Sequence, residues 1–105
     1  MQSSLEYANA AGTEIIQTAV PLINNTCMVI VKQCAEIEDA DCPAYHKCSQ
    51  VRDEIVNKII MLKLAILDAE TARAVGDSKS AEEAVTRAVS LIMEIRQHLQ
   101  KVGML

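Results

Sequence analysis

Four cysteines, Cys27, Cys34, Cys42 and Cys48, fall close together in the chain, with His46 between the last two and Glu36, Glu38, Asp39 and Asp41 beside them. This is the one stretch whose residue types could do chemistry, and three kinds are open to it. The first is metal binding. Cys34, Cys42, His46 and Cys48 are the candidate ligands, and Cys42 and His46 share a helical face at a spacing of four. The Cys-x6-Cys, Cys-x7-Cys and Cys-x5-Cys intervals, however, contain none of the close Cys-x2-4-Cys pairs typical of structural zinc sites, so a metal is not the expectation. Nor do the acids follow the alternating oxygens, glycine and terminal glutamate of a calcium loop. They read more simply as a solvated acidic turn beside a helix N-terminus.

The second chemistry is oxidation. Cys34 and Cys48 are nearly equidistant from the centre of the expected turn, so a Cys34–Cys48 disulfide would staple the hairpin. Closing that short loop would contribute about 3 kcal/mol and would require an oxidising compartment. Four cysteines admit three intramolecular pairings, and spacing alone does not choose among them. The third is nucleophilic catalysis by Cys42 with His46. A helix start lowers a thiol pKa, but the nearby carboxylates act in the opposite direction, and there is no obvious third group to orient the pair and no oxyanion site. Beside these stands a plainer reading: Cys27, Cys34 and Cys48 fall on an apolar seam, where cysteine serves as a small hydrophobe.

Elsewhere the chain has no Gly-rich phosphate loop, Gly-x-Ser-x-Gly elbow, His-Glu-x-x-His or Glu-x-x-His pair. His98, four after Glu94, reads as an exposed residue near a helix end, paired with that acid. The expectation is a protein that is not an enzyme and uses no cofactor.

The elements that must position these residues are helices. Ser3 with Glu6 forms a capping box for a first helix. Its seam is Ile16, Val20, Ile23, Cys27, Ile30, Cys34, Ile37, preceded by Leu5, Ala8, Gly12 and Ile15. Pro21 interrupts it by removing one donor and crowding the carbonyl of Gln17. Because the seam keeps phase across the proline, a kink is favoured over a break, which would make four helices of three. A turn at residues 39–43 leads to a second helix with Pro43 in its first position, running to about Val75 on a seam of Cys48, Val51, Ile55, Ile59, Leu62, Ile66 and Ala69. Between Ile59 and Leu67 this helix is apolar on nearly every side and must be covered from more than one direction. Gly76 is the expected left-handed cap. Ser80 with Glu83 opens a third helix on Ala81, Val85, Ala88, Ile92, Ile95, Leu99 and Val102.

The 105 residues therefore read as one all-α domain, an antiparallel bundle of three long helices. The third helix is the shortest, about 33 Å against about 50 Å for the others. It should stop near the level of Thr26 and Ile55, leaving a two-helix hairpin beyond. The apolar stripe there, Cys27, Ile30, Cys34, Ile37, Val51 and Ile55, is the expected partner-binding surface. The partner would be another protein or a second copy, and the function a non-enzymatic interaction module: an adaptor, chaperone-like subunit, immunity protein or inhibitor.

Composition narrows the partners. The net charge is −4 and the ten Lys and Arg are scattered singly, which gives nucleic acid no concentrated basic footprint. The most apolar windows, Cys27–Val31 and Ile59–Leu67, fall short of the roughly 20 residues that span a bilayer, so no membrane contact is expected. No signal peptide is visible, which favours the cytosol. A secreted, disulfide-stapled effector is the alternative, and Asn24-Asn25-Thr26 would then be a glycosylation sequon.

Overall fold

The computed structural model describes residues 4–36 and 42–101. It is a three-helix bundle: α1 (Ser4–Glu36), α2 (Pro43–Ala74) and α3 (Ser78–Lys101), with no strand among the described residues. The molecule is a rod with principal extents of 58 × 23 × 18 Å. The expected cap at Ser3, the acids Glu38, Asp39 and Asp41, and the apolar Ile37 and Val102 lie outside the described residues.

α1 runs unbroken through Pro21. Gln17, whose carbonyl loses its partner there, and Pro21 are both exposed, so water can satisfy the orphan oxygen and the helix has no reason to end. α2 begins with Cys42 as N-cap and Pro43 just inside. It ends at Gly76, whose φ of +78° places it in the left-handed region.

The cap of α3 differs from the expected Ser80–Glu83 box. Asp77 is the capping residue: it accepts the Ser80 amide at 3.1 Å and the Ser80 hydroxyl at 2.7 Å. An aspartate three residues ahead of a serine matches the capping geometry as well as a serine ahead of a glutamate does, and the tight turn at Gly76 brings Asp77 into place first. The two bonds, the hydroxyl's foremost, hold the Asp77 carboxyl below its ordinary value of 3.8. A lowered folded pKa stabilises the folded state above the unfolded value, and that contribution is lost as pH falls through the folded one. Protection of the first α3 amides from hydrogen exchange should therefore drop on acidification below that range. Asp77→Ala should abolish the acid step and fray the turn more than Ser80→Ala. A step that persists without Asp77 would assign it to another carboxylate.

The core is aliphatic. Ala8, Ala11, Ile15, Ala19, Ile23 and Cys27 of α1 close on Ile55, Ile59, Leu62, Ala65 and Ala69 of α2 and on Ala88, Ile92, Ile95 and Leu99 of α3. No polar or charged residue is buried among the described residues. In α1 the buried line runs through Ile15 and Ala19, while the expected seam residues Ile16 and Val20 are only half-buried against it. Small residues let the helices approach: a Cβ on Gly12 would stand 3.3 Å from Leu62 Cδ2. Gly12→Val should cost about 1–3 kcal/mol by overpacking that contact, measured by urea denaturation.

Ion pairs on the rim join α2 to α3, Lys58–Glu94 at 3.0 Å and Arg87–Asp68 at 3.3 Å, and beside them His98 Nδ1 lies 3.9 Å from the Glu54 carboxylate. Thus His98 reaches across to Glu54, and Glu94, its expected partner along the helix, is taken by Lys58. The Arg96 guanidinium donates to the Tyr7 hydroxyl at 3.2 Å and ties α3 to α1. Exposed pairs of this kind set register more than they add stability.

Candidate functional site

The four cysteines form two disulfides, Cys27–Cys48 and Cys34–Cys42, with Cα–Cα distances of 5.8 and 5.9 Å. The expected Cys34–Cys48 bridge is thereby corrected, and the reason is helix register. Cys48 faces Cys27, seven residues or about 10 Å of helix rise from Cys34. The midpoint of the hairpin lies some three residues earlier in the chain than the Asp41-centred turn implied. α1 and α2 therefore meet as a ladder with two rungs.

The bridges also remove the other cysteine chemistries. With their sulfurs bonded to each other, Cys34, Cys42 and Cys48 offer no thiolate to a metal, and the Cys34–Cys42–His46–Cys48 ligand set does not form. Cys42 likewise has no thiolate for His46 to activate. No cluster of three or more metal-ligating side chains occurs among the described residues. His46 is exposed, with its ring 6.1 Å from that of Tyr45.

The level at which α3 ends was legible. Leu99 lines one small cavity with Ile15, Ala19 and Leu22, and His98 lies level with Glu54. Among the described residues only α1 and α2 continue beyond that level. The expected partner stripe there is divided by the fold. Cys27 and Ile55 are completely buried, at 1% and 0% exposure, and belong to the internal core rather than to an interface. Ile30, Cys34 and Val51 are half-buried, and Ile37 lies outside the described residues. Ile30 and Val51 line one shallow apolar groove with Ile23, Thr26, Ala44 and Cys48.

The more extensive bare surface lies elsewhere. Val56, Ile60, Met61, Leu64 and Leu67 of α2 are each 38% to 56% exposed. At 100° per residue Val56, Ile60, Leu64 and Leu67 form one stripe centred about 140° around the helix from Ile55, Ile59, Leu62 and Ala69, the line that enters the core. α2 thus has two apolar faces, and the bundle covers one. The sequence signal for this was the stretch Ile59–Leu67, apolar all round. Its consequence was misplaced, because the third helix was expected to cover α2 fully along its own length and to leave only the hairpin end bare.

α1 is also long and apolar enough, by length and composition alone, to cross a membrane, with a mean hydropathy of 1.3 over its most apolar window. Residues 15–31 carry no charge, a longer run than the Cys27–Val31 window weighed from the sequence. In this fold Ile15, Ala19, Ile23 and Cys27 of that stretch are core.

The chain matches no protein-family model, and neither a curated protein nor a solved structure is detectably similar to it.

Proposed function

We propose that the protein is a non-enzymatic interaction module, working in an oxidising compartment by presenting a rigid apolar helix face to another protein surface. The observation that carries this reading is the second apolar face of α2, held open on a rod whose helices are fixed by two disulfides. A contiguous exposed apolar patch of a few hundred Å² is often a functional surface. Disulfides persist outside the reducing cytosol, so within this proposal the cytosolic expectation gives way to its secreted alternative. The adaptor, inhibitor, immunity and chaperone-like roles all use such a face. The absence of a buried ionisable group among the described residues favours binding over catalysis.

The test has two parts. Protein taken from its native source with thiols trapped by alkylation should carry no alkyl groups on its four cysteines; four alkyl groups would refute the oxidising compartment. A photo-cross-linking residue at position 64 should give a discrete adduct in the native setting, whereas the same residue at position 90, on exposed α3 surface, should not. Equal labelling at both positions, or none, would refute the module reading.

A further inference from the structure

We infer that the bare face of α2 is a self-association seam: two copies join through it as a parallel, two-fold-symmetric coiled coil. This rests on the reading above and deepens it by naming the partner as a second copy of this chain.

The argument begins with spacing. Asn57, Ile60, Leu64, Leu67 and Thr71 recur at intervals of three and four, the a and d positions of a heptad repeat, with Ile60 and Leu67 at d and Leu64 at a. A strict heptad on the outer face of a helix that already satisfies its bundle on the inner face has no use within one chain. Asn57 falls at an a position, where a single asparagine fixes register and favours a dimer at some cost in stability. Asp53, one heptad before Ile60, would set like charges against each other and so ends the seam on that side.

Charge and Asn57 together choose the orientation. In a parallel pair, each g position faces the e position five residues on in the partner. Lys63 is at g and Asp68 at e, so a two-fold axis brings each Lys63 to the other chain's Asp68. Val56 and Met61 stand in the same g-to-e relation and supply an apolar contact beside the seam. An antiparallel pair sets g against g and e against e in one of two registers: with Leu64 against Leu67 it brings Lys63 to Glu70 but faces Asn57 with Ala74 instead of its own copy, and with Ile60 against Leu64 it brings each flank against itself. Lys63 would then stand beside its own copy and Asp68 near the partner's Glu54, both repulsive. Lys63 forms no ion pair within the chain among the described residues, and Asp68 makes only the exposed contact with Arg87.

The area is sufficient. The five exposed apolar side chains offer on the order of 450 Å² per chain, within the range of a functional patch. Two copies with the flanking Asn57, Lys63, Asp68 and Thr71 reach the roughly 1,200 Å² at which specific interfaces begin.

Sedimentation equilibrium on the oxidised protein should give twice the chain mass of 11.5 kDa. Leu64→Glu should give a monomer with unchanged circular dichroism and melting, because position 64 is exposed in the single chain. Lys63→Asp and Asp68→Lys should each weaken association roughly tenfold by creating two like-charge contacts, and the double variant should recover most of that loss. Thr71→Cys should cross-link to its own copy under oxidation, since parallel packing sets position 71 against itself.

A dimeric Leu64→Glu protein would remove α2 from the interface. Failure of the charge swap to restore association, or absence of the position-71 cross-link, would overturn the parallel arrangement. A monomeric wild type at 100 µM would overturn self-association; if position 64 still cross-links to a different protein in the native setting, the module reading survives alone. With neither dimer nor cross-link, both fail.

Discussion

Replacing Ile92 with aspartate should unfold the protein. Ile92 is fully buried where α3 meets the other two helices, and no polar or charged residue is buried among the described residues to receive a carboxylate. The substitution loses the transfer free energy of the isoleucine side chain, about 2–3 kcal/mol. It also buries a polar group without a partner, which costs several kcal/mol more whether the acid ionises or takes up a proton. Together these approach the whole stability of a domain this size, about 5–15 kcal/mol. Met93→Asp is the control: one residue along, on the exposed side of α3, it should change stability by no more than about 0.5 kcal/mol. Far-ultraviolet circular dichroism with thermal melting distinguishes the two. Cooperative melting at full helicity in the Ile92 variant would mean that α3 is held by its rim ion pairs rather than by its seam.

That contrast between adjacent residues also shows what periodicity can and cannot resolve. In α3 the apolar residues are large and the polar face is charged, so spacing placed Ala88, Ile92, Ile95 and Leu99 in the core as found, although Ala84 and Leu91 are buried beside them and Val85 is only half-buried. In α1 the expected seam passed from Ile15 to Ile16 and Val20, whereas the structure keeps Ile15 and continues through Ala19, leaving Ile16 and Val20 half-buried. The buried positions Ala8, Gly12, Ile15, Ala19, Ile23 and Cys27 advance mostly by fours, a longer period than the heptad. An α-helix of 3.6 residues per turn drifts against a strict 3.5 repeat, and α1 follows that drift across two neighbours. Alanine and glycine carry little hydrophobic signal, so the close approach they permit was not visible in a count of large apolar residues. Two apolar faces on α2 were legible as a stretch without a polar side. Which one the bundle would leave bare depended on where α1 and α3 sit, a tertiary fact. The cysteine pairing depended on a hairpin offset of three residues, finer than a turn estimate from sequence can fix.

The offset matters because the two bridges should contribute unequally. Cys27–Cys48 crosses α1 and α2 where the three-helix core ends, and Cys27 is itself buried in that core. Cys34–Cys42 ties the hairpin further out, where Ile30 and Cys34 are only half-covered. On chain-entropy grounds a bridge spanning about 20 residues is worth about 3 kcal/mol. Losing it through Cys27→Ala with Cys48→Ala should lower the melting temperature by roughly 15 °C in a domain of about 100 residues. Cys34→Ala with Cys42→Ala closes a shorter loop, and opening there can remain local, because the core below does not depend on that rung. Its signature should be faster hydrogen exchange confined to the ends of α1 and α2 next to the turn, with a smaller fall in melting temperature. Reduction of the wild-type protein should produce both effects together. If the reduced and oxidised proteins melt alike, apolar packing alone sets the α1–α2 register and the bridges are incidental to it. If instead the outer pair proves the costlier to lose, the hairpin end is the cooperative centre of the fold, and the assignment of the core to the Ile15–Ile59–Ile92 level is wrong.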